Sequence, residues 1–403
     1  MFSLDGFSSG ERNVVRKMQV FNFLVGLGFV GGILVPFFIE WGGLKFVQIM
    51  QLQSWFMFWV AVLAVPVGAL ADSWSRKGTL VLGCFVGSIG WVIYASVPNF
   101  FVFALGELLL ALGGTMVKAP SKALLYDSLA KKTREQSGGK IFSQLQSLHL
   151  VALSLGAPIG SLVAAKFGLS VPLILMGIAH FGGDLFALSF SEPEHISTVD
   201  ENYWQKAWQG FVTLCEQKAL LKLVLDFTMV YTASQIMLWL YQPILQDSGV
   251  PKALLGSAHA GTVLFEAATV WFFGSVLWEN LTEKRNYILF AISLLPALAY
   301  LFVGITGQDF LVLNLVSVAV VIGFGLASEP LYTAAFNLRI DNDARRTTVL
   351  AAAGLLRQIF AIFRNLVGGA TFTESRTFTL IGLGVLLLTY TMFSELVLRK
   401  WLT

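Results

Sequence analysis

Among the ionisable residues inside stretches otherwise built from apolar side chains, ten are candidates for chemistry: Glu107, Lys118, His149, His180, Asp184, Asp226, Glu266, Glu329, Arg357 and Arg364. A charge in hydrocarbon is costly, so each must be paired, hydrated or put to use. Glu266 stands about 14 residues into its run, about 20 Å at 1.5 Å per helical residue, which places it near mid-membrane. Glu107 stands about eight residues into its own run. Both are candidate proton carriers, because a proton removes the charge that apolar surroundings disfavour. The structural alternative is a neutral, hydrogen-bonded carboxyl or a fixed pair with Arg357 or Arg364.

An arginine keeps its charge at any working pH, so Arg357 and Arg364, two turns apart on one face, need a standing anion. Glu266, Glu329 or an acidic solute could supply it, and an internal salt bridge serves equally well. Asn22, Tyr231, Gln235 and Trp239 offer polar and aromatic groups for an organic ligand; Asn and Gln also hydrogen-bond between helices. His180 and Asp184, at i, i+4, read as a mutual pair, His149 as a core histidine, and Asp226 as an anion at the inner end of its run.

The elements that must position these residues are long. Of 403 residues, 56% are hydrophobic and 13% charged, with a mean hydropathy of +0.73. A soluble protein carries about 25% charged residues, so that class is excluded. Twelve apolar runs can be marked, near 18–39, 46–71, 79–97, 100–127, 141–166, 170–190, 220–245, 252–278, 286–305, 309–338, 347–372 and 377–398. Each suits a spanning helix of about 20 residues. One long connection, 191–219, separates an N-terminal bundle (1–190) from a C-terminal one (220–403). Within it Trp204, Trp208, Phe211 and Cys215 share a helical face, the pattern of a surface-lying amphipathic helix or of a tether.

Lysine and arginine set the orientation. With the N-terminus inside, the outer segments hold only Lys45, Lys166, Lys252 and Arg376, so both termini are expected to be cytoplasmic. A net charge of +3 argues against a nucleic-acid partner. Cys84 and Cys215 support neither a disulfide framework nor a metal site. Residues 1–16 are polar, and the first apolar run reads as a retained helix rather than a cleaved signal.

The halves repeat. Gly113, Pro120, Tyr126 and Asp127 in the fourth run match Gly323, Pro330, Phe336 and Asn337 in the tenth at one constant offset. A polar loop follows the second run: Gly68-Ala-Leu-Ala-Asp72-Ser-Trp-Ser-Arg76-Lys77-Gly78. Gly68 is expected to let two helices approach closely. Asp72 can pair with a cation or cap a helix N-terminus. A degraded copy, Gly274, Glu279, Lys284 and Arg285, follows the eighth run.

That loop resembles the signature G-x-L-x-D-x-x-x-R-K between the second and third helices of the major facilitator superfamily, with Ser75 where glycine is common. The resemblance implies an all-α polytopic membrane protein of twelve transmembrane helices in two six-helix pseudo-symmetric halves, with substrate bound near the midplane. Gly68, Asp72, Arg76 and Lys77 would form its gating motif. Lys118 and Glu329, at near-equivalent repeat positions, would pair as an inner gate. Two departures matter. Many proton-coupled members carry an arginine in the fourth helix, and the run Glu107–Gly113 has none. The exporter signature G-P-x-x-G-G is only approximated by Gly156-Ala-Pro158-Ile-Gly160.

The expected function is alternating-access transport of a small organic compound, first as proton-coupled export. The alternative is proton-coupled uptake of a polar or anionic metabolite, with Arg357 holding the anion. A non-transporting membrane sensor or scaffold is the reading from another class. No P-loop, HExxH, dinucleotide fingerprint or nucleophile elbow is present, so no enzyme activity, cofactor or metal is expected. The expected partners are a small solute, protons and the lipid bilayer. The protein is expected as a monomer in a bacterial inner membrane.

Overall fold

The computed structural model describes residues 7–192, 203–272, 281–307, 309–337 and 343–401, and the regular elements among them are helical. The first six helices are α1 (Ser9–Gly26), α2 (Phe46–Ser73), α3 (Arg76–Ser96), α4 (Phe100–Asp127), α5 (Lys131–Phe167) and α6 (Val171–Ala187). After α7 (Tyr203–Glu216) come α8 (Lys218–Asp247), α9 (Lys252–Phe272) and α10 (Leu281–Thr306). The series ends with α11 (Leu311–Asn337), α12 (Asp343–Glu374) and α13 (Arg376–Leu396). Among the described residues nine helices are long and apolar enough to cross a membrane.

The remaining apolar runs depart from that length for local reasons. The sixth folds as α6, of 17 residues, and the eleventh, α12, carries Arg357 and Arg364. The first is broken. α1 stops at Gly26, and the chain then turns with Gly31 N donating to Gly28 O and Ile33 N to Val30 O, both at 3.0 Å. Helix resumes at Leu34 and closes with a π turn over Phe37–Trp41. Glycines weaken a helix by leaving the backbone free, and α5 holds the break in place. A Cβ on Gly156 would lie 2.5 Å from the Gly28 nitrogen, and one on Gly160 would overlap the Phe29 carbonyl.

The chain divides into two units by its internal contacts: Met1–Gly43 with Trp55–Glu201, and Leu44–Ser54 with Asn202–Thr403. In the first unit, α3 crosses α4 so closely that a Cβ on Gly113 would sit 2.7 Å from Gly83 O. Ser88 Oγ donates to Gly177 O at 2.7 Å, which ties α3 to α6. The close approach expected at Gly68 is not made: a Cβ there meets nothing within 4 Å. Glycine's packing work falls instead at the α3–α4 crossing.

In the second unit, α8 is the central element, buried along most of its length between α11, α12 and α13. Tyr300 OH donates to Ala233 O at 2.6 Å. The first turns of α2 pack in this unit, with Phe46 and Phe372 ring centroids 4.6 Å apart. α7 packs on α12 and α8 through Leu214, which is 1% exposed, whereas Phe211 is 38% exposed. The buried face of α7 is therefore not the one carrying Phe211 and Cys215. The side chains of Trp204 and Trp208 lie outside the described residues, as do Gly274, Glu279 and the side chains of Lys284 and Arg285.

Candidate functional site

Helical spacing puts Phe227, Tyr231 and Gln235 on one face of α8. The Phe227 and Tyr231 ring centroids are 5.1 Å apart, and the Gln235 amide donates to the Tyr231 hydroxyl. From α12, the Arg357 guanidinium lies 5.1 Å from the Phe227 ring and 4.8 Å from the Tyr231 ring. A guanidinium over aromatic faces is attracted by the ring quadrupoles. Its carboxylate partner is Glu329 of α11 at 3.9 Å. Glu266 reaches the same place from α9, within electrostatic range of both Glu329 and Tyr231. Five candidates from the sequence, Tyr231, Gln235, Glu266, Glu329 and Arg357, thus converge in the second unit.

Arg364 is held differently. It donates to Thr232 O and, through Nη2 and Nε, to Asn365 Oδ1 at 2.5 and 3.1 Å. These partners are carbonyl and amide oxygens rather than a carboxylate. Asn365, 1% exposed, is the residue that sequence reasoning missed. Trp239 sits two turns beyond Tyr231 on α8, half-buried.

Asp226 is no interfacial anion. Its carboxylate is buried and accepts from Lys222 Nζ at 2.6 Å, Tyr390 OH at 2.9 Å and Ser394 Oγ at 2.6 Å. Lys222 and Asp226 are an i, i+4 pair on α8, and the two hydroxyls come from α13, so the network clamps those helices together.

The first unit holds a second polar region. A cavity of about 350 Å³ opens between α1, α4 and α5, lined by Asn22, Lys118, Ser121, Lys122, Gln146 and His149 together with apolar side chains. His149 donates to the Asn22 carbonyl, and a Cβ on Gly26 would lie 2.7 Å from its Nδ1. Glu107 does not line this cavity. It is 4% exposed and accepts from the Tyr94 hydroxyl. Tyr94 belongs to an aromatic cluster with Phe37, Phe38 and Phe103. The His180–Asp184 pair is not formed: among the described residues Asp184 Oδ1 is buried without a hydrogen-bond partner. His180 lies instead against Trp91, 6.2 Å between centroids.

The loop between α2 and α3 is tied into the first unit by two acids. Arg76 pairs with Asp127 at the end of α4, reaches Asp72 Oδ1 at 3.4 Å and donates to Ala123 O at 3.3 Å. Ser75 is the N-cap of α3 and accepts from Gly78 N at 2.8 Å. Glu192, beyond the end of α6, accepts from Arg76 N and Lys77 N at 2.8 Å each and from Ser75 Oγ at 2.6 Å. An anion on the exposed amides of a helix N-terminus is favoured by the dipole. Asp127 was visible in the sequence only as a repeat position; Glu192, far along the chain, gave no signal.

A family model for the Major Facilitator Superfamily matches residues 18–363. The chain belongs to the major facilitator superfamily. Members of this superfamily are secondary transporters, and transport rather than catalysis is their work. The all-α, multi-spanning fold is accordingly that of a major facilitator protein. Among curated relatives, the chain is 27% identical over 199 residues to multidrug resistance protein MdtH of Photorhabdus laumondii. That alignment covers 48% of this chain and 46% of the relative, so less than half of the relative's length is spanned. Among solved structures, the nucleoside transporter NupG superposes with a TM-score of 0.78 at 14% identity, covering 96% of this chain and 99% of that one. A POT family transporter in complex with 5-aminolevulinic acid gives 0.75 at 14% identity, covering 100% and 98%.

Proposed function

We propose that this major facilitator protein carries a small polar metabolite into the cell together with protons, by alternating access. The observation behind this reading is the set around Tyr231. Two carboxyls, Glu266 and Glu329, share its surroundings with one guanidinium, and Arg357 is already engaged with Glu329 at 3.9 Å. A proton on Glu266 balances that set, which assigns Glu266 the proton and leaves Arg357, Tyr231 and Gln235 to orient the solute. Relatives named for a nucleoside and for 5-aminolevulinic acid support a polar cargo. Gly156 and Gly160, whose spacing approximates an exporter signature, are explained by packing against Gly28 and Phe29. Their sequence argument for antiport therefore loses its force. The lysine and arginine distribution supports cytoplasmic termini in a plasma membrane.

Export by antiport is the second reading, favoured by the relative named multidrug resistance protein MdtH. Proteoliposomes under a pH gradient of either sign separate the two. Symport predicts that labelled nucleosides, amino acids or organic acids accumulate when the side equivalent to the cell exterior is acidic. Accumulation only under the opposite gradient overturns uptake in favour of export.

A further inference from the structure

We infer that Arg357 and Glu329 together receive a zwitterion, and that the cargo is an α-amino acid; this rests on the transport reading above and names its substrate class. The two groups stand 3.9 Å apart, beyond the roughly 2.7–2.9 Å of a charge-assisted hydrogen bond. Each attracts the other without saturating it. Their side chains are 28% and 50% exposed, so a solute can reach both. An ammonium on Glu329 and a carboxylate on Arg357 replace one long contact by two short ones. An acid alone gains Arg357 but is repelled by Glu329, and an amine alone meets the converse.

The charge balance points the same way. With the proton that the transport reading gives to Glu266, the three groups acting on Tyr231 sum to zero. A net-neutral solute preserves that balance, and an uncompensated charge inside a membrane is costly. The separation then selects among zwitterions. A gap of 3.9 Å suits a solute whose own ammonium and carboxylate are close, as on a single carbon. A longer chain between them would have to fold back and lose conformational freedom.

The fold holds both receiving groups in place. Arg357 lies over the Phe227 and Tyr231 rings at 5.1 and 4.8 Å, and its planar donors suit paired hydrogen bonds to a carboxylate. Tyr332, three residues beyond Glu329 on α11, packs on Phe227 with centroids 5.3 Å apart. That contact ties α8 to the turn of α11 carrying Glu329. From α9, Phe265 beside Glu266 lies so close to α11 that a Cβ on Gly323 would sit 2.3 Å from its ring.

The test places the full-length protein in phosphatidylcholine nanodiscs, without a pH gradient, and follows thermal unfolding as the standard α-amino acids are added. At least one is expected to raise Tm saturably. That amino acid is then compared with its des-amino acid, its decarboxylated amine and 6-aminohexanoate; for leucine the first two are 4-methylpentanoate and 3-methylbutylamine. Each analogue should bind about tenfold more weakly. Glu329→Gln should abolish the amino acid's advantage over the des-amino acid, and Arg357→Gln its advantage over the amine. Each variant should still bind the analogue that lacks the corresponding charge, which shows that the site folds. Three results overturn the assignment: no α-amino acid stabilises, the acid or the amine alone stabilises equally, or a variant loses every ligand alike. Glu266→Gln, neutral at any pH, should bind the amino acid as the parent does, and loss of binding there also overturns it. Because binding is read without a gradient, a failure of proton coupling or of the direction of transport leaves this result standing.

Discussion

The Arg357 guanidinium stands 3.9 Å from the Glu329 carboxylate and 4.8 Å from the centre of the Tyr231 ring. One cation thereby links α8, α11 and α12 of the second unit at the place where Glu266 also arrives. Glu329 is half exposed, and an ion pair that long and that open adds little to stability. The pair is therefore weakly committed to the fold, as the solute-orienting role proposed for Arg357 requires.

Arg357→Lys tests this. Lysine keeps the charge but loses the planar fork and the stacking surface. Transport affinity is expected to fall about tenfold, the effect of losing one charge-assisted or cation–π contact of about 1.4 kcal/mol. Thermal stability should change by less than about 1 kcal/mol. Flux in proteoliposomes and a Tm measurement on the same sample read both quantities, and a large stability loss with unchanged affinity would reassign Arg357 to packing.

Lys222 and Asp226 should behave in the opposite way. Both are buried, at 2.6 Å, with Tyr390 and Ser394 completing the shell. Removing one partner of a buried pair leaves an uncompensated charge and costs about 3–5 kcal/mol. Lys222→Met or Asp226→Asn is therefore expected to lower unfolding stability by that order, and the double replacement Lys222→Met/Asp226→Leu by less than either alone. Denaturant unfolding of the purified variants checks the ranking.

Glu192 caps α3 from beyond the end of α6, and its removal strips the carboxylate from two backbone amides. Glu192→Ala should cost about 1 kcal/mol, the usual value of a lost helix cap, and speed amide exchange at Arg76 and Lys77. Glu192→Gln should recover part of the loss, since an amide oxygen still accepts. Unchanged exchange at those two amides would show that the cap is not formed in the membrane.

Glu11 gives a pH signature ahead of the first apolar run. Burial opposes its charge, but hydrogen bonds from Ser8, Thr133 and Ala130 outweigh that and hold its pKa down at about 2. The capping box on α1 and the bond from Ala130 N at 3.0 Å therefore stabilise the fold fully above the usual value of 4.5. That contribution fades as pH falls from about 4.5 to about 2, because the unfolded chain takes up the proton first. Protection of the Glu11 and Ala130 amides, with the intrinsic pH dependence of exchange divided out, should fall as pH drops across that window, and Glu11→Gln should make that protection independent of pH.

How far the sequence reached depends on the range of the interactions. Hydropathy is local, so the helices and the conversion of the fourth and tenth runs into α4 and α11 were legible. The glycines of the first run were also visible, yet the break at Gly26 depends on α5 pressing Gly156 and Gly160 against it, a contact between remote segments. The same limit applies at the sites. Tyr231 and Gln235 share a face by spacing alone, so they could be named. Arg364 on Thr232 O and Glu192 on Ser75 act through partners more than a hundred residues away, and no local pattern marks them. His180 and Asp184 had the right spacing for a pair, but packing set the imidazole against Trp91 instead.

The central claim is that Glu266 carries the coupled proton. Glu266→Gln keeps the shape and the hydrogen bonds of a protonated carboxyl and removes its titration. In proteoliposomes the parent protein should concentrate its labelled solute when the side equivalent to the cell exterior is acidic. The variant should still exchange labelled for unlabelled solute at equilibrium but should no longer concentrate it under the same gradient. Full gradient-driven accumulation by Glu266→Gln, or parent flux indifferent to the gradient, would contradict the account.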